Sequence, residues 1–213
     1  MQTLSQQPKG TRAALLECAE QLFLAHGYEG VSIRQITEAA GSNVAAVNYH
    51  FNGKTSLFRE VLAARLDQIT RDKLAILKDL DEQQPAANLE QILDAYILSF
   101  FEEFSTPESD RLTQIIYREM GPDAVASDLI ATRLIVPINQ AVQKRILTVC
   151  PDLDKTHVSY CVSSITGQIM HFIRAREALS SIRNLDQNQT FTEDTVRHIR
   201  QFSLRGIGSK HHA

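Results

Sequence analysis

The sequence predicts an all-α protein of about nine helices, and three observations carry that reading. Apolar residues recur at the helical period almost from end to end, no useful stretch alternates apolar with polar residues as a half-buried strand would, and capping residues stand at the start of most periodic segments. With 43% apolar and 22% charged residues over 213 positions, such helices have a core to bury. The expected arrangement is an N-terminal three-helix head, a long helix leading out of it, and a larger helical domain.

The elements follow in order. Residues 1–8 are polar and read as an arm, after which Thr11 stands where a cap for helix one is needed. Leu15, Ala19, Leu22 and Phe23 make its inward stripe, and Gly27 ends it. Ser32 with Gln35 three residues on is a capping box for helix two, in which Ile33, Ile36 and Ala40 share a face. Gly41 stands where a helix ends in the left-handed conformation that glycine adopts without steric cost. Ser42 and Asn43 both suit the cap of helix three, and Val44, Val47 and Phe51 fall on its expected inward stripe. That leaves Asn43, Ala45, Ala46, Asn48, Tyr49 and His50 outside. Between Val44 and Phe51 no side chain is charged unless His50 protonates, whereas an ordinary solvated helix carries Glu and Lys. Small residues let a backbone approach a groove, amides pair with adenine edges, and an aromatic hydroxyl and an imidazole reach phosphates. After the Asn52-Gly53 turn, Lys54 opens the next helix, where a cation opposes the macrodipole and a bound phosphate would explain it.

The block YEGVSIRQITEAAG, continuing through AAVNYHF to NGKTSLF, resembles the N-terminal domain of the TetR family of bacterial transcriptional repressors. The Tyr49-His50-Phe51 run, a turn and then Lys54 carry the likeness, over roughly the first quarter of the chain. One departure is Asn52-Gly53, where the family often has Gly-Ser or Lys-Ser before the lysine. The resemblance implies that helix three enters the major groove, with Arg34, Tyr49, His50 and Lys54 holding phosphates and Ser32 among the DNA-binding residues. Asn43, Ala45, Ala46 and Asn48 would then face bases.

Beyond Lys54, the pattern Leu57, Phe58, Val61, Leu62, Leu66, Ile69, Leu77 and Leu80 reads as one long helix closed near Pro85. Asn88 and Gln91 offer a second capping box for helix five, which carries Ile92, Leu93, Tyr96, Ile97, Phe100, Phe101 and Phe104. Thr106-Pro107-Glu108 opens helix six, which ends at Gly121-Pro122. The next apolar pattern, residues 129–149, contains Pro137, which must kink or split it. Asp154 caps helix eight, apolar on more than one face and so buried on two sides. Residues 180–189 read as a loop, Thr192 caps helix nine with Val196, Ile199 and Phe202 inward, and residues 206–213 read as a frayed tail. The segments YREMGPDAVASDLIATRLIVPINQAV and GQIMHFIRAREAL, together with AAVNYHF, resemble the CecR-type subgroup of the same family. The domain division expected is a head over residues 1–53, sharing the start of helix four at 54–60, and an effector-binding and dimerisation domain over 54–213.

Composition bounds the function. The net charge of -3 and a pI near 6.2 lack the basic footprint of many nucleic-acid binders, so positive potential has to arise by segregation of Lys9, Arg12, Arg34 and Lys54 onto one face. Three widely spaced cysteines without a CxxC fit a reducing cytoplasm, and no apolar run is long enough to span a bilayer. No cofactor or metal is expected, since no histidines pair at helical spacing and no HExxH occurs, and no nucleophile elbow or phosphate-cradling glycine loop suggests catalysis. The aromatic and methionine residues of the second half serve either as core or as the lining of a ligand cavity. Arg118, Glu119, His171 and Arg174 beside them serve either as ion pairs and solvated faces or as ligand contacts. The candidate effector set is Phe100, Phe104, Arg118, Glu119, Met170, His171 and Arg174.

The functional expectation is a cytoplasmic, homodimeric repressor, not an enzyme. It would hold an inverted repeat in double-stranded DNA, release it on binding a small-molecule effector, and dimerise through helices eight and nine, with no membrane partner. The alternative from another class is a helical enzyme or small-molecule carrier with a vestigial helix-turn-helix, its acid-base pair drawn from His171 and Glu119.

Overall fold

The computed structural model describes residues 10–82, 86–101, 107–121, 124–183 and 189–208. Phe104, the Thr106 cap, Pro85, Pro122, Lys9 and the arm at 1–8 lie outside them. The described residues form helices only: α1 Thr11–His26, α2 Ile33–Ala39, α3 Val44–Phe51, α4 Lys54–Asp81, α5 Leu89–Phe101, α6 Pro107–Arg118, α7 Ser127–Ile130, α8 Val136–Val149, α9 Lys155–Arg174, α10 Arg176–Arg183 and α11 Gln189–Gly208. A π-helical segment, Ala131–Ile135, joins α7 to α8 as one rod, so ten rods stand where nine were expected.

The differences have local causes. The tenth rod is α10, which covers the first part of the expected loop. Ala175 breaks the regular helix at φ -90° and ψ 7°, but its carbonyl accepts the Leu179 N–H at 2.8 Å, so the chain winds on at once. Gly10, not Thr11, is the N-cap of α1, and it offers no side-chain bond. The last helix begins three residues before Thr192 and runs through the expected tail to Gly208, with Ile207 buried. Phe202 faces outward at 60% exposure, because the buried stripe of α11 runs through Phe191, Thr195, Ile199, Ser203 and Ile207. A small residue, Ser203, takes the inward place and donates its hydroxyl to the Ile199 carbonyl at 2.6 Å. Pro137 has no N–H to give the Arg133 carbonyl, and the wider π turn just before it absorbs that missing bond.

The chain divides into two compact units, Met1–Gln68 with Pro107–Arg133 and Ile69–Thr106 with Leu134–Ala213. In the first, α1, α2 and α3 pack on one another and α6 packs on α1. Leu15, Ala19, Phe23, Ile36, Val47, Phe51, Leu57 and Phe58 form its interior. Phe23, Tyr28 and Phe58 make an aromatic knot, with the Phe23 and Phe58 rings edge-to-face at 5.0 Å. In the second unit α11 packs on α5 and α9, and α8 packs on α9 and α5. Its core joins Leu77, Leu93, Tyr96, Ile97, Val142, Ile146, Val162, Ile165, Ile169 and Ile199. The expected box at α5 is formed, Asn88 N–H to Gln91 Oε1 at 2.9 Å and Gln91 N–H to Asn88 Oδ1 at 3.0 Å, and Asp154 caps α9 through the His157 N–H at 2.7 Å. The three cysteines are free and half-buried, and burial pushes the Cys18 and Cys161 thiols up. Among the described residues no helix is long and apolar enough to cross a membrane, and no three metal-ligating side chains converge.

Candidate nucleic-acid interface

The first unit builds a short helix fixed at both ends. α2 starts in the capping box: the Gln35 N–H donates to Ser32 Oγ at 3.2 Å, while Gln35 Oε1 accepts from the Ser32 N–H at 2.8 Å and its hydroxyl at 2.7 Å. It ends in a Schellman motif. Gly41 adopts φ +60°, its N–H reaches the Glu38 carbonyl at 3.3 Å, and the Ser42 N–H reaches the Thr37 carbonyl at 2.8 Å. That turn delivers Asn43, whose Oδ1 accepts the Ala46 N–H at 3.0 Å and caps α3. Only the amide NH₂ of Asn43 is left to donate elsewhere. Asn52 closes α3 in the left-handed region, and Gly53 follows at φ +108°.

α3 buries Val47 and Phe51 and presents Ala45, Asn48 and Tyr49 to solvent, Tyr49 at 85% exposure, with Ala46 and His50 half-buried. Val44 does not join the inward stripe as expected, and 47% of it is exposed. It lies in the first turn, directly after the Asn43 cap. The outward face carries no formal charge apart from what His50 can gain.

The flanking cations are held by neighbours. Arg34 Nε donates to Glu38 Oε1 at 2.8 Å, both side chains exposed, an ion pair worth about 0 to 1 kcal/mol that an arriving phosphate can displace. Arg12 pairs with Glu60 and rests its guanidinium 5.0 Å from the Phe51 ring centre. Lys54 Nζ sits 4.2 Å from the centre of the Tyr28 ring, and the Tyr28 hydroxyl lies 2.8 Å from Thr55 Oγ1. Lys54 is thus a cation positioned at the first turn of α4 by an aromatic face. Ser32, with its hydroxyl engaged on both sides by Gln35, sits at the start of α2.

The candidate effector residues fall in both units. Arg118, in the first, lays its guanidinium over Gly27, in the space a Cβ there would need, and lines a polar cleft of about 480 Å³ with His26, Asp110, Arg111 and Gln114. Glu119 beside it is buried, and its Oε2 accepts the Val125 N–H at 3.0 Å. The Val125 carbonyl accepts Arg59 Nη1 at 2.6 Å, and Arg59 grips Asp128 with two bonds of 2.7 Å. Those bonds hold the Asp128 carboxyl down at about 2 and raise the Arg59 guanidinium further. Phe100, Met170, His171 and Arg174 belong to the second unit. Phe100 is buried edge-on to Tyr96, Met170 is half-buried against the core, and His171 and Arg174 are exposed on α9.

The residue that sequence reasoning passed over is Lys73. It is only 3% exposed, its Nζ donates to the Ser99 carbonyl at 2.7 Å, and it stands 3.9 Å from the centre of the Phe100 ring. The signal was there: Lys73 lies four residues from both Ile69 and Leu77 on the apolar stripe of α4. Tyr96 is a second buried polar group, pushed up to about 12 by desolvation, its hydroxyl 2.7 Å from Thr166 Oγ1. The same hydroxyl donates to Asn139 Oδ1 at 3.4 Å, and Thr166 Oγ1 also bonds the Val162 carbonyl at 2.8 Å.

Residues 15–61 match the family described as bacterial regulatory proteins of the tetR family, and residues 85–207 match the C-terminal domain of the HTH-type transcriptional dual regulator CecR. The chain is 24% identical to the HTH-type transcriptional regulator SrpR of Pseudomonas putida, over 81% of this chain and 79% of that one. It is 26% identical to the HTH-type transcriptional repressor NicS of Pseudomonas putida, over 95% of both. Among solved structures, Salmonella enterica GusR superposes with a TM-score of 0.63 at 16% identity, over 96% of this chain and 98% of that one. At that identity the likeness is one of fold.

Proposed function

From the premise that the chain belongs to the TetR family of bacterial regulatory proteins, with a CecR-type C-terminal domain, we propose that it is a cytoplasmic homodimeric repressor released from its operator by a small molecule. The observation that carries the proposal is α3: a helix capped at both ends whose exposed face is small, amide-bearing, aromatic and uncharged. Such a face is poorly suited to bulk water and well suited to the major groove, where a close backbone and directional amides have edges to read. Asn43, Ala45, Ala46 and Asn48 face bases, and Ser32, Arg34, Tyr49, His50 and Lys54 hold the backbone on either side. Arg34 exchanges Glu38 for a phosphate, and Lys54 leaves the Tyr28 ring for one.

Residues 1–53, with the start of α4 at 54–60, act as the reading head, and residues 54–213 bind the effector and dimerise. Two heads on one face of DNA need two-fold symmetry, which makes the operator an inverted repeat. The proposed dimer contact is α9 with α11, the expected helices eight and nine, which carry the exposed rings Tyr160 and Phe202. The effector contacts are drawn from Phe100, Met170, His171 and Arg174 of the second unit, and the switch is worth about 1 to 3 kcal/mol of coupling. No catalytic step is assigned.

The test is selection of bound fragments from genomic DNA by the purified protein, followed by affinity for the enriched sequence across a salt series. We expect one inverted repeat, with affinity falling steeply as salt rises. Uniform weak binding to all DNA would overturn the reading.

A further inference from the structure

We infer that Val44 reads a thymine methyl group, and so sets operator specificity beside the amides of α3. The inference rests on the DNA-binding reading above. Val44 does little for the fold: the inward positions of α3 are Val47 and Phe51, both buried, while Val44 leaves 47% of its surface in solvent. Nor does it serve the helix. A β-branched residue is a weaker helix former than the straight-chain or small residues that an exposed position would otherwise carry.

What remains is the surface the residue faces. Val44 is one turn from Asn48, so both lie on the same strip of α3, about 6 Å apart along the axis. Base pairs are about 3.4 Å apart, which puts Val44 within roughly two pairs of the base that Asn48 reads. In the major groove the C5-methyl of thymine is the one apolar group on any base edge, and an isopropyl side chain among uncharged neighbours is its complement. Asn43 cannot compete for the same contact, because its Oδ1 caps Ala46 and its remaining group is a polar donor.

The experiment starts from the operator that the selection yields. Each thymine is replaced by uracil, symmetrically in both half-sites, which removes only the methyl and leaves every hydrogen-bonding edge intact. Burying one methyl is worth about 0.8 kcal/mol, a factor of about four. Wild-type protein is therefore expected to lose about fourfold per half-site at a single thymine position, about sixteenfold for the dimer, and to be indifferent at the others. Val44→Ala is expected to keep its fold, read by circular dichroism, and to bind the thymine and uracil forms of that position equally. An operator whose thymines are all replaceable without loss overturns the inference while leaving the regulator reading intact. So does a sensitive position whose penalty is unchanged in Val44→Ala. Failure of the selection itself, with no sequence enriched, overturns the regulator reading and this inference with it.

Discussion

Gly27 is an exacting position of the first unit, and replacing it with alanine separates two causes of destabilisation. Its backbone holds φ +70° and ψ 178°, a region open essentially to glycine alone, where an L-residue costs about 1 to 3 kcal/mol. A Cβ there would also meet the Arg118 guanidinium, well inside van der Waals contact. These two terms are not equal. The guanidinium is the far end of a flexible side chain and swings away at small cost, whereas the backbone angles are fixed by the Gly27 N–H bond to the Phe23 carbonyl at 2.7 Å. Against both stands the reduced freedom of the unfolded alanine chain, about 0.4 to 1 kcal/mol in favour of the variant. The net expectation for Gly27→Ala is about 1.5 kcal/mol of destabilisation, a fall in melting temperature of roughly 3 to 6 °C for a chain of this size. Differential scanning calorimetry of wild type, Gly27→Ala, Arg118→Ala and the double variant closes a thermodynamic cycle. Removing the Arg118 side chain should restore less than about 0.5 kcal/mol of the loss if the backbone term dominates, as the magnitudes require. Full rescue by Arg118→Ala, or a Gly27→Ala protein as stable as wild type, refutes this reasoning.

Three further outcomes are expected. Asn48→Ala should cost about 1 to 3 kcal/mol at particular operator positions and relax preference there, measured by binding to a set of singly altered operators; an equal loss on every sequence would make Asn48 a backbone contact. Asp128 ionises at about 2 in the folded protein, against an ordinary 3.8, so its bond to Arg59 stabilises the fold above that ordinary value and is lost as pH falls through about 2. Asp128→Asn should accordingly be less stable than wild type near pH 6 and converge with it in strong acid, as followed by circular dichroism; a constant offset at every pH would remove the ion pair from the explanation. Tyr96→Phe takes away a buried hydroxyl bonded to Thr166 and Asn139 and should lose about 1 kcal/mol in urea unfolding, and an unchanged midpoint would show those bonds to be idle.

What the sequence made legible was local. Ser32 with Gln35, Asn88 with Gln91, Asp154 and the left-handed Gly41 each act within five residues of themselves, so their geometry is written in the neighbouring letters. Periodicity located the long helix and the interruption at Pro137 for the same reason. It failed where a choice between adjacent residues is made by a distant partner. Phe202 and Ser203 differ by one step around α11, and the close packing available on the inner side selected the smaller residue. Val44 shares the phase of Val47, yet in the first turn of α3 it stays 47% exposed. Lys73 was hidden by its charge, although its position on the stripe already placed it inside. The run from Glu119 through Val125 to Arg59 and Asp128 joins residues up to 69 apart in the chain, and no pattern of spacing announces such a link.

The two faces of α3 divide the labour of the helix, and on the proposed DNA-binding reading that division makes the head retargetable. Phe51 and Val47 anchor the helix and Asn43 sets its start, so exchanges at positions 44, 45, 48 and 49 leave its folding free energy nearly untouched. A library randomised at those four exposed positions should therefore be rich in stable proteins and diverse in the operators they choose. Lineages descended from such a scaffold can change which genes they control without first acquiring compensating mutations in the core.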